Sequence, residues 1–170
     1  MNGPHNMQQT PLPSGRFTGR KDFQSLVRDA LMRAATEDWP SLVISDADFE
    51  DWPLGERAVV QALEDWAGSG KRLTMLACHY DEVVRRHARF VRWRVKWDHI
   101  VDCFVSPDVD ALNMPSVLLS PTWALHRVDP ERCVFVTGHE PERRVLLAET
   151  LREWQHSKSS PGFPSTTLGL

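Results

Sequence analysis

The chain has 170 residues and a formal net charge of −3. That length is enough to bury a core without disulfides or a structural metal, and the overall charge favours no polyanion partner. Hydrophobic residues make up 41% and charged residues 25%, values typical of a globular protein rather than a disordered one.

Residues 1–16 are rich in Pro, Gly, Gln and Asn and are expected as a disordered N-terminal tail. Residues 17–170 are expected to form a single α/β domain. Phe23, Leu26, Val27, Ala30, Leu31 and Ala34 recur at the helical period, which predicts a first helix over Lys21–Thr36. Pro40 ends that segment, and Ser41–Ser45 reads as a short strand. The acidic stretch DADFEDWPLGE is a loop. Val59, Leu63 and Trp66 share one face of a second helix, Leu54–Ala67, which Gly68 and Gly70 stop.

The apolar run LTMLA predicts a buried parallel strand, Arg72–Ala77. A long helix is expected over Asp81–Trp97, followed by a strand at Ile100–Val105. Three short extended pieces come next: Ser116–Leu119, Trp123–Val128 and Cys133–Thr137. Asp129-Pro130-Glu131 between the last two predicts a hairpin. A final helix spans Glu142–Trp154. Strands joined by helical crossovers imply an α/β fold with a mixed, mainly parallel sheet flanked by helices. The closing TTLGL carries apolar residues suited to docking the C-terminal tail.

The three cysteines, Cys78, Cys103 and Cys133, lie in or beside apolar runs. Their odd number and wide spacing match no disulfide framework or zinc motif. Buried free thiols in a reducing compartment are expected. The N-terminus has no apolar signal core and no run approaches a membrane span, so the protein is expected to be cytoplasmic with no membrane partner.

Two features hold most of the polar chemistry. The acidic loop places Asp46 and Asp48 at the end of the first predicted strand, where open α/β sheets bind ligands. Oxygen donors of this kind suit magnesium, but Asp46 and Asp48 equally suit turn capping. No metal and no cofactor is expected. The second feature is the segment from Arg85 to Lys96, with six Lys or Arg and no acid. On a helical wheel Arg85, Arg89, Arg92 and Lys96 form one face, and stacked like charges repel unless something answers them. A phosphate backbone, an acidic protein partner, or the chain's own carboxylates could do so. Arg94 and His87 fall on the apolar side. A buried Arg needs a carboxylate or carbonyl partner, and the expected one is Asp46 or Asp48.

Several segments carry a family resemblance: GRFTGRKDFQSLVRDAL, LVISDADFEDWPL, RLTMLA with HARFVRWR, and FPSTTLGL. Together they resemble one half of the phospholipase D-like fold, and more closely uncharacterised proteobacterial relatives of it that lack catalysis. The resemblance implies a catalytic His with a Lys two positions on and a later Asp. In TWALHRVDPERCVFVTG, His126 stands at the His position, but Val128 occupies the Lys position and no Asp follows in VFVTG. Arg127, one residue off, should point to the opposite sheet face from His126. The expectation is therefore a non-catalytic phospholipase D-like domain that acts through binding or assembly, as a homodimer or with an acidic partner. One alternative is a phosphoester-processing enzyme with Asp46, Asp48, His79, His126 and Arg94 around a strand-end cleft. The other is a nucleic-acid-binding protein that uses Arg85, Arg89, Arg92 and Lys96.

Overall fold

The computed structural model describes residues 10–163. The strands are β1 (Gly15–Thr18), β2 (Ser41–Ser45), β3 (Arg72–Ala77), β4 (Val101–Val105), β5 (Val117–Leu119), β6 (Ala124–Asp129), β7 (Val134–Gly138) and β8 (Ser160–Pro161). The helices are α1 (Arg20–Thr36), α2 (Arg57–Trp66), α3 (Asp81–Arg86), α4 (Ala88–Lys96) and α5 (Pro141–Glu153). The strands form one sheet in the order β1-β7-β6-β5-β2-β3-β4-β8.

The helical crossovers from β2 to β3 and from β3 to β4 produce parallel pairs, as their length requires. The other five pairings are antiparallel. The sheet is thus mixed but mainly antiparallel, which corrects the expectation of a mainly parallel one. The reason is local. Short connections between β5, β6 and β7 permit only antiparallel neighbours, and β5 then docks antiparallel on the free edge of β2.

Period-two alternation divides the strand side chains between two cores. Leu42, Ile44, Leu73 and Met75 face α1, α2 and α4 together with Phe23, Leu63 and Phe90. Leu76, Cys78 and Val117 face α5 through Leu147, Leu151 and Trp154. All three cysteines are free and buried.

Two elements differ most from the sequence expectation. First, the described part of the N-terminal tail is anchored to the sheet. Gly15–Thr18 pairs with β7, and the Pro13 carbonyl accepts from Trp123 Nε1 at 2.9 Å and from Thr137 Oγ1 at 2.7 Å. Proline and glycine obscured this strand because backbone pairing, not side-chain pattern, holds it. Residues 1–9 and the TTLGL segment lie outside the described residues.

Second, the long helix expected over Asp81–Trp97 breaks at His87, where φ is −121° and ψ is 52°. Its imidazole Nε2 sits 2.9 Å from the Phe49 carbonyl, so the acidic loop grips the break. Gly55 packs against the same point. A Cβ there would stand 3.0 Å from the Arg86 carbonyl oxygen, His87 Cα and His87 Nδ1. Two of these are backbone atoms that cannot swing aside. Gly55→Ala is therefore expected to destabilise the protein by about 1–3 kcal/mol through overpacking, read as a lower urea midpoint.

Candidate nucleic-acid interface

The helix break redistributes the basic residues. Arg85 and Arg86 belong to α3, and both reach back to Glu82, at 2.9 Å and 2.6 Å. Arg86 also meets Glu50 at 3.0 Å. Arg85 is thereby separated from the stripe it was expected to share with Arg89, because the backbone loses helical phase at His87.

Arg89, Arg92 and Lys96 remain on one side of α4, and α2 packs beside it. Between the two helices runs an open groove of about 450 Å³, lined by Arg57, Val60, Gln61, Glu64, Arg89, Arg92, Trp93 and Lys96. Arg57 enters only through the packing of α2 on α4, so no run of basic residues in the sequence announces it. Glu64 is the one acid in the lining. It is ion-paired with Lys96 and accepts from Trp97 Nε1 at 2.7 Å. The Lys96 hydrogen bond, then that of Trp97, holds the Glu64 carboxyl below its ordinary range.

Arg89 donates to the Gly55 carbonyl at 3.2 Å. Among the described residues, no hydrogen bond or ion pair engages the side chains of Arg57 or Arg92, both exposed. The floor is Trp93, 4% exposed, whose indole N–H has no acceptor among the described residues.

The acidic strand end is put to a different use. Asp46 is buried, and its Oδ1 accepts from Arg127 Nη2 and Ser116 Oγ, both at 2.7 Å. Its Oδ2 accepts from the amides of Phe49 at 2.8 Å and Asp48 at 3.3 Å. Arg127 also reaches Asp51 at 3.2 Å and lies over the Phe23 ring at 4.4 Å. Burial opposes the Arg127 charge, but the charge and hydrogen bond of Asp46, together with Cys133, act against it and hold the guanidinium more firmly protonated.

Arg94 is not the partner of Asp46. It lies under α4, its Nε 3.2 Å from Cys103 Sγ and its guanidinium over Phe163 at 4.1 Å. Burial raises the Cys103 thiol pKa even though Arg94 works the other way. The register of the sheet decides the choice. β6 runs beside β5, which runs beside β2, so a side chain from β6 reaches the end of β2, whereas α4 packs nearer β4.

The five residues considered for a phosphoester enzyme do not converge. Asp46 and Asp48 line a cavity of about 190 Å³ at the strand end, and none of His79, His126 and Arg94 does. His79 is exposed, with its backbone amide on the Ala47 carbonyl at 3.3 Å. His126 lies on the α5 side of the sheet. Burial raises the Asp48 pKa against the opposing amide of Glu50. Among the described residues no three metal-ligating side chains gather, and no helix is long and apolar enough to cross a membrane.

No protein-family model matches the chain, and no curated protein matches it. A solved structure does: that of TrmBL2, described as an archaeal chromatin protein that shows a novel mode of DNA binding. The TM-score is 0.61 at 13% identity, over 89% of this chain and 55% of that one. This chain therefore spans just over half the length of the protein it matches. The finding overturns the half phospholipase D-like fold read from the sequence segments, and with it the non-catalytic phospholipase D-like role. At such low identity the likeness extends to architecture alone: the mixed α/β fold of this chain is one that it shares with part of TrmBL2.

Proposed function

We propose that the chain binds nucleic acid through the groove between α2 and α4. The observation that carries this reading is the lining itself: four basic side chains against a single acid, with that acid already engaged by Lys96. Arg57 and Arg92 keep their charges unanswered, an arrangement that favours a polyanion over solvent alone. The open shape suits a phosphate backbone better than a small enclosed ligand. Fold likeness to part of a DNA-binding chromatin protein supports the same class of partner.

The net charge of −3 does not oppose the reading. That charge is a sum over the whole chain, whereas the groove is locally positive, with four basic side chains and one acid in its lining. Contacts of this kind position a backbone and read no sequence, so the expected binding is weakly sequence-dependent and strongly salt-dependent.

The test is fluorescence anisotropy of a labelled random duplex titrated with the full chain at several salt concentrations. The expected Kd is on the order of 10⁻⁶–10⁻⁴ M near physiological salt, tightening as salt falls. Arg89→Ala with Arg92→Ala is expected to weaken binding at least tenfold and to flatten the log–log salt slope by about 2. Both side chains are exposed, so the fold should survive, and a thermal melt checks it. Affinity unchanged in the double variant, or insensitive to salt, would refute the proposal.

A further inference from the structure

On the opposite side of the sheet from the basic groove, two adjoining hollows run along α5. The first, of about 310 Å³, is lined by His126, Val128, Val136, Arg143, Leu146 and Leu147. The second, of about 290 Å³, continues past Met114, Val117, Leu151 and Trp154 and shares His126, Val128 and Leu147 with the first. Together they make a cleft with a largely apolar floor, a polar end at His126 and Arg143, and Asn113, Arg127 and Thr150 in the lining of the second hollow. Its rim keeps apolar side chains in water: Leu146 is 64% exposed and Val128 45%.

The polar end has a definite charge. No Asp or Glu lines either hollow. Arg143 is only loosely held, with its Nη1 3.9 Å from Glu140 Oε2, at the outer limit of an ion pair. His126 makes no side-chain hydrogen bond among the described residues. Burial, and then the charge of Arg143, lower its pKa, so at neutral pH it is an uncharged N–H donor beside a cation. Arg127 follows it on β6, but its guanidinium serves Asp46 on the other face of the sheet.

We infer that this cleft binds a small amphipathic carboxylate, its tail along Leu147 and Leu151 and its head on Arg143 and His126. The apolar length and Arg143, the lining cation not committed to Asp46, match such a ligand, and a mostly apolar pocket with a few convergent polar groups is the usual form of a small-molecule site. A guanidinium also pairs with carboxylate by charge-assisted hydrogen bonds.

The probes are octanoate and 1-octanol, followed at pH 7 by isothermal titration calorimetry and by the His126 and Trp154 ring resonances. Octanoate is expected to bind saturably with Kd of about 0.1–1 mM, in keeping with its few heavy atoms, and to shift both rings. Octanol should bind at least tenfold more weakly. Arg143→Gln is expected to weaken octanoate about tenfold, and Leu146→Glu, a change at an exposed position that places a carboxylate on the rim, to abolish it. Equal binding of octanol, an unchanged Arg143→Gln variant, or ring resonances that stay still would each overturn the assignment. Duplex binding by the α2–α4 groove should be unaffected in both variants, so the two readings fail separately.

Discussion

Asp46→Ala is expected to lower the unfolding free energy by about 3–5 kcal/mol, the magnitude for removing one partner of a buried ion pair. Asp46 is 3% exposed and Arg127 is 5% exposed. Alanine would strip the guanidinium of its nearest counter-charge and leave Asp51, at 3.2 Å and partly exposed, as the remaining carboxylate. Ser116 Oγ would lose its acceptor as well. The backbone would suffer too. Phe49 holds a positive φ of 60°, an unfavourable region for a bulky residue, and its amide is fixed there by Asp46 Oδ2. Asp46→Asn should lose less, because the amide oxygen can still accept from the turn while the charge is gone. Urea unfolding monitored by Trp fluorescence measures both, and the slope against urea should not change. A loss below about 1 kcal/mol for the alanine variant would show that the network contributes little to stability.

How far the sequence reveals this arrangement depends on the range of each interaction. Apolar periodicity is a local signal, and it places α1, β2, β3 and α5 within a residue or two of where they lie. The break at His87 is invisible to it, since apolar residues continue at helical spacing on both sides. The cause lies elsewhere, in the Phe49 carbonyl and in Gly55. The strand Gly15–Thr18 escapes for the converse reason: its residues look like a linker, and only β7 makes them a strand.

The same distinction governs the sites. Arginine density in 85–96 is plain from composition, but the partners that neutralise Arg85 and Arg86 and the arrival of Arg57 depend on packing. A buried arginine paired with Asp46 is a sound physical demand. Which arginine answers it is set by strand order, since Arg127 lies 81 positions away and β5 must stand between β6 and β2. Segment resemblance led to a phospholipase D-like half for a related reason. Helix and strand order in the first hundred residues suits several α/β architectures, and topology in the last third separates them.

Phe23→Ala is expected to cost about 3–5 kcal/mol, as for other fully buried phenylalanines. The ring is 0% exposed and joins parts of the chain that share no local contact. Trp52 meets it edge-on at 5.6 Å and Phe135 at 5.7 Å. On its face lies the Arg127 guanidinium, 4.4 Å from the centroid, where the ring quadrupole favours a cation. Phe23→Leu should cost less, retaining most of the volume but losing the aromatic face. The revealing measurement is the double variant with Asp46→Ala. Arg127 touches both residues, so the two losses should not add, and a coupling of about 0.5–3 kcal/mol is expected for sites that share a partner. Additive losses would mean that Arg127 relaxes freely when either neighbour is removed. Strong coupling would mean that helix α1, the acidic loop and β6 are clamped through this one guanidinium, which would leave the carboxylate of Asp46 committed to the fold.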